Sequence, residues 1–96
     1  MFYWIIYDIS NDKSRLRVFR KCRQYGLVRV QRSVFTGKIQ PKLLTQLEEE
    51  ILEFIEDETD RLLVFQMPSD SFDAIRTYGQ PIRLRQIARP EKAVFI

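Results

Sequence analysis

Phe2-Tyr3-Trp4-Ile5-Ile6-Tyr7-Asp8 is a run in which every residue before the closing carboxylate is aromatic or β-branched. Its length and composition predict a strand buried on both faces, at the centre of a sheet rather than at its edge. Ser10, Asn11 and Asp12 follow, and side-chain oxygens of these types accept the free backbone N–H groups that open a helix. A central strand therefore feeds directly into a helix, and the rest of the chain must supply the strand's neighbours.

From Lys13 to about Tyr25, Leu16, Phe19 and Cys22 recur at three-residue steps, flanked by Val18 and Tyr25. Lys13, Arg17, Arg20 and Lys21 share another side, so the spacing predicts an amphipathic helix with a cationic outer face. Gly26 stands where a left-handed C-terminal cap is wanted. Leu27 to Val30 and Ser33 to Ile39 read as two strands of a hairpin or one bent ribbon around Gln31-Arg32. Pro41 suits the first turn of a second helix, where its missing amide proton is not needed. Leu43, Leu44, Leu47, Ile51, Phe54 and Ile55 carry that helix to about Asp57, although Glu56, Asp57 and Glu58 crowd the negative pole of its dipole. Arg61 to Met67 is a further strand, ended by Pro68.

Strand, helix, strand, strand, helix, strand, with right-handed crossovers, is the α+β, βαββαβ ferredoxin-like arrangement with both helices on one face of the sheet. The opposite face is left bare, and a second copy of the chain is the natural cover, giving a homodimer packed sheet to sheet. Ser69 to Tyr78 reads as a short helix or an irregular loop. Ile82, Leu84 and Gln86 suggest an additional strand, and the apolar tail Ala93 to Ile96 is expected to pair along a sheet edge. The expectation is one domain over residues 1–96, with a core of about 1–67 and a C-terminal dimer-exchange segment of about 80–96.

The 96 residues are 45% hydrophobic, enough for one modest core. No apolar run is long enough to span a membrane, and Asp8 interrupts the N-terminal run too early for a signal peptide, so the expectation is a soluble, cytoplasmic protein without a membrane partner. Cys22 is the single cysteine and histidine is absent. Internal disulfides, clustered Cys/His zinc sites and histidine-based catalysis are thereby excluded. Catalysis would rest on carboxylates, hydroxyls, lysine or a metal held by oxygen. The net charge is only +3, but nine basic and no acidic residues lie between Lys13 and Lys38, and eight acidic residues against Lys42 alone between Ile39 and Asp60. Such segregation gives either separate positive and negative faces or two solvated helix surfaces.

Asp8, at the end of a central strand in a loop leading to a helix, is the sharpest candidate for chemistry. Its plainer reading is a helix cap or an acceptor for loop amides. One carboxylate is a poor magnesium site alone, whereas two related by a dimer axis could share the ion, which would then promote hydrolysis of a phosphodiester. Ser10 and Ser33 are candidates for touching phosphate or ordering a water, or else make ordinary turn contacts. Tyr7 reads as core, its hydroxyl needing a partner. Arg15, Arg17, Arg20 and Arg32 are the candidates for gripping an RNA or DNA backbone, with affinity that falls as salt rises. Phe35 reads as core or dimer interface, and the acidic helix around Glu48, Glu49, Glu50 and Glu53 as a solvated face or a dock for a basic partner.

Tyr7-Asp8-Ile9-Ser10-Asn11-Asp12-Lys13, a basic helix, Tyr25-Gly26-Leu27, then Val30-Gln31-Arg32-Ser33-Val34-Phe35 and Asp60-Arg61-Leu62-Leu63-Val64-Phe65 resemble, in this order, the CRISPR-associated Cas two family. The resemblance covers about residues 1–67, and the rest more loosely. It implies a ferredoxin-like homodimer whose C-terminal strand crosses to the partner's sheet, with Mg2+ shared between two copies of Asp8. It also implies a dimer that bridges the Cas one integrase in spacer acquisition and acts as a metal-dependent endonuclease. Where that family often carries Glu after Ser-Val-Phe, this chain has Thr36-Gly37, so no acidic role is carried over there. The rival reading is a ferredoxin-like toxin ribonuclease or small-ligand regulatory module without a Cas one partner.

Overall fold

The computed structural model describes residues 1–80. Its elements are β1 (Phe2–Asp8), α1 (Asp12–Gln24), β2 (Val28–Gln31), β3 (Val34–Gly37), α2 (Pro41–Leu52), β4 (Arg61–Met67) and a short α3 (Ser69–Asp73). The four strands form one antiparallel sheet in the order β2-β3-β1-β4, so β1 is central, with β3 and β4 as its neighbours. This is the expected ferredoxin-like α+β fold. The expected additional strand and apolar tail lie outside the described residues. No described helix is long and apolar enough to cross a membrane.

Alternation along β1 divides its side chains between the two faces of the sheet. Ile5 and Tyr7, with Phe35 of β3, face the helices and pack against Val18 and Cys22 of α1 and Leu44, Leu47 and Ile51 of α2. Burial of each large side chain in this cluster contributes about 1.5–3 kcal/mol. Asn11 caps α1, its Oδ1 accepting the Ser14 amide at 2.9 Å. At the other end Gly26 has φ 85°, the Gly26 amide donates to the Arg23 carbonyl and the Leu27 amide to the Cys22 carbonyl. That paired pattern is a Schellman motif, and it needs a residue free to adopt positive φ.

Three expectations are corrected. Helix α2 stops at Leu52, not near Asp57: Glu56, Asp57 and Glu58 would have met the negative end of its dipole, and the chain instead turns, with the amides of Thr59 and Asp60 bonded to the Glu56 carbonyl. Phe54 and Ile55 still reach the core from this turn. Leu16, placed on the apolar face of α1 by its spacing, is 45% exposed, because Val18 and Cys22 point at the sheet and Leu16 lies off that axis. The face of the sheet away from α1 and α2 is not wholly bare either. Helix α3 lays Phe72 on Phe2, with ring centroids 4.1 Å apart, and against Trp4. Beyond that cover, Leu63 and Phe65 of β4 remain exposed.

Candidate phosphodiester site at the end of the first strand

Where β1 ends, three segments distant in sequence come together. Asp8 opposes Arg61 in the β1–β4 register, and the Tyr7 amide donates to the Ser33 carbonyl at 3.1 Å, which brings the Arg32-Ser33 turn to the same end of the sheet. Ser10 and Ile9 continue the loop toward α1. The Asp8 side chain lies on the face away from the core, in the same register as Trp4 and Ile6. It is exposed, and no hydrogen bond or ion pair joins its carboxylate to another described residue.

Two structural duties were open to Asp8, and other residues perform both. The helix cap is Asn11. The loop amide is taken by Asp60, which is 9% exposed: its Oδ1 accepts from the Ser10 amide at 3.0 Å and from Thr59 Oγ1 at 3.1 Å, while Oδ2 accepts from the Glu56 amide at 3.0 Å. The amide bonds from Glu56 and Ser10 hold the Asp60 carboxyl below the usual carboxylate value. Arg15 holds the loop from the other side, Nη1 donating to the Ile9 carbonyl at 3.1 Å and Nη2 pairing with Asp12. The segment after Asp8 is therefore fastened at Ile9, Ser10 and Asp12, and the carboxylate is left at liberty on a fixed backbone.

The candidate residues divide accordingly. Asp8, Ser10, Arg15, Arg32 and Ser33 gather at this end of the sheet, but Arg15 is engaged with its own loop rather than turned outward. Tyr7 lies on the other face, 3% exposed, and stacks on Phe35, with burial pushing its hydroxyl pKa up. The expected cationic outer face of α1 is split: Arg17, exposed, lies over the ring of Phe54 in the turn after α2 at 5.4 Å and Lys21 is 3.8 Å from Glu50 of α2, while Arg20 is exposed with no such contact among the described residues. Phe35 is fully buried in the core of the chain itself. Thr36 is also fully buried, its Oγ1 donating to the Tyr3 carbonyl at 3.0 Å, so it has no part in the site. Asp60 and Arg61 were not singled out by sequence reasoning. Their signal was the register of β4 against β1, which puts the residue before a strand beside the loop after its neighbour.

As a metal site the arrangement supplies the carboxylate of Asp8, which has no hydrogen-bond or ion-pair partner among the described residues. Among the described residues no group of three or more His, Cys, Asp or Glu is placed to hold an ion. One carboxylate with waters and phosphate oxygens fits the habits of magnesium, whose octahedral shell is commonly completed that way.

Comparison with known proteins agrees with the order of these parts. The family model described as CRISPR associated protein Cas2 matches residues 1–75. A protein of Pyrobaculum aerophilum named CRISPR-associated endoribonuclease Cas2 2 is 33% identical, over 84% of this chain and 89% of its own length. A Thermoproteus tenax protein named CRISPR-associated endonuclease Cas1/endonuclease Cas2 fusion is 29% identical over 76% of this chain, which matches 28% of that longer protein. The crystal structure of Streptococcus pyogenes Cas2 superposes with a TM-score of 0.73 at 24% identity, covering 82% of this chain and all of that one. A central strand ending in a free aspartate, a basic helix and the β2–β3 hairpin all fall within the matched span, and the chain belongs to the CRISPR-associated Cas2 family.

Proposed function

We propose that this protein binds the phosphate backbone of nucleic acid and hydrolyses phosphodiesters, RNA among them, with Asp8 as the metal-holding residue of each of two back-to-back copies. The observation that carries the reading is that Asp8 is exposed at the end of a central strand with both of its available structural duties assigned elsewhere, to Asn11 and Asp60. The relatives named as endoribonucleases support the choice of RNA. A divalent cation, Mg2+ by the oxygen chemistry of the donors, supplies Lewis-acid polarisation of the scissile phosphate. The chain's own part is to hold the carboxylate at a fixed place, through the bonds at Ile9 and Ser10, and to bring Ser10, Ser33 and Arg32 beside it. The apolar side chains around Asp8 on the same face, Ile6, Leu63 and Phe65, favour a second copy as the cover of that face.

A partnership with a Cas1 integrase in spacer acquisition belongs to the same proposal, supported by the Thermoproteus tenax fusion that joins the two proteins in one chain. The test is cleavage of labelled RNA and DNA oligonucleotides with and without Mg2+, by wild type and Asp8→Asn, alongside sedimentation and a pull-down with Cas1. The reading expects cleavage that needs both the metal and Asp8, from a dimer that retains Cas1. Cleavage that persists in Asp8→Asn removes the catalytic assignment, and a monomer removes the shared ion.

A further inference from the structure

Phe19 is half-buried, its ring packed edge-on against Phe35 at 5.6 Å, and two guanidinium groups lie near its ring centroid. Arg23 lies 5.6 Å from the ring centroid and Arg29 5.3 Å. Arg23 stands four residues after Phe19 on α1, hence on the same helical flank. Arg29 opposes Phe35 in the β2–β3 register and so projects to the same side of the sheet. Neither makes an ion pair with a described residue. Two cation–π contacts thus converge on one ring.

We infer that Arg23 and Arg29, gathered at Phe19, form a phosphate-binding track along the helix side of the α1–β2 edge, on the face of the sheet opposite Asp8; this rests on the reading of the protein as a binder of phosphodiester chains. The physical case has three parts. Contact with the ring restricts both exposed guanidinium groups, so less side-chain entropy is lost when each meets a phosphate. Their separation cannot exceed the two ring distances laid end to end, which keeps both within the span of a short stretch of one strand. Finally, β2 is an edge strand of the described sheet and runs from Val28 toward the Arg32-Ser33 turn, which is bonded to β1 at Tyr7. Arg32 stands in the turn just beyond the end of β2, past an irregularity in the register after Arg29. Among the described residues Lys21 is turned to Glu50 and Arg15 to its own loop, and of the exposed Lys13, Arg17 and Arg20 none shares a ring with a second cation.

The test measures binding of a labelled 20-nucleotide single strand and of the corresponding duplex at several salt concentrations, using the full chain. Arg23→Gln/Arg29→Gln is expected to weaken binding about tenfold and to flatten the slope of log K against log salt by roughly 0.7–0.9 per lost phosphate contact. Phe19→Leu, which keeps both charges, is expected to lose about two- to threefold with the slope retained. If melting shows the double variant to be unstable, the single variants carry the same reading, each with about half the change in slope. Binding and slope equal to wild type in the double variant overturn the track and leave the Asp8 reading intact. Loss of binding in the double variant, with cleavage persisting in Asp8→Asn, sustains the track while the hydrolytic reading falls. Saturation of the pair by inorganic phosphate, without any effect of the variants on oligonucleotide affinity, also overturns it.

Discussion

The Oδ1 of Asp60 accepts the amide of Ser10 at 3.0 Å, across fifty residues of chain. That bond fixes the loop two residues beyond Asp8 to the turn that precedes β4. The Glu56 amide and the Thr59 hydroxyl share the same carboxylate, so one side chain closes that turn and anchors the site loop together.

Removal of Asp60 should therefore act on stability first. Asp60→Ala leaves two amides and a hydroxyl without their acceptor, and the expected fall in Tm is roughly 5–10 °C. Circular dichroism melting checks it. A Tm within a degree of wild type would mean that solvent replaces these bonds at no loss.

The same carboxylate gives a pH dependence of known sign. Its pKa is lowered from 3.8 on folding, so its stabilising contribution is fully present above that value and is lost as pH falls through the lowered one. Asp60→Asn has no such proton to take up. The difference in Tm between wild type and Asp60→Asn should be largest above about pH 5 and shrink steadily toward about pH 2. Parallel curves over that range contradict the assignment.

Asp8→Asn separates the site from the fold. An exposed side chain with no partner among the described residues should change stability by about 0.5 kcal/mol or less, while metal-dependent cleavage should fall about a hundredfold or more. Melting and a cleavage assay on one preparation read both. A large loss of Tm would show that Asp8 has a structural duty after all.

Phe72 joins α3 to the outer face of the sheet, and Trp4, the single tryptophan, reports on it. Phe72→Ala removes a ring that is 2% exposed and stacked on Phe2, for an expected loss of about 3 kcal/mol and a red shift of Trp4 fluorescence. Urea unfolding followed by fluorescence measures both quantities. Unchanged emission would mean that α3 does not shield Trp4 in solution.

Cys22 should be inert in the native protein. It is fully buried between α1 and the sheet, and burial pushes its thiol pKa up to about 12. Alkylation at neutral pH is expected only as fast as the chain unfolds, so its rate should rise with urea. Rapid labelling without denaturant would contradict the packing of α1.

Element order was legible because it rests on local signals. The β1 run, the Asn11 cap, Gly26 and Pro41 each act within a few residues, and all four performed as their chemistry required. The end of α2 was misread because periodic apolar residues continue to Ile55, and periodicity does not distinguish a helix from a turn that still reaches the core. Among the arginines, sequence spacing placed Arg17 and Arg20 on one outer face and passed over Arg23 and Arg29. Whether a cation is open to a ligand depends on which neighbour its side chain leans on, Phe54, Phe19 or Asp12, and those neighbours come from other segments or from the adjoining turn of the same helix.

The amino-acid sequence by itself determined the strand and helix order, the central position of β1 and the presence of a carboxylate at its end. Hydrophobic period, capping chemistry and backbone freedom are short-range properties written in consecutive residues. Only the tertiary structure decided that Asp60, rather than Asp8, holds the loop, and which arginines are free. Those assignments depend on β4 pairing with β1 in one register and β2 returning beside α1, contacts that exist only once distant segments of the chain are packed together.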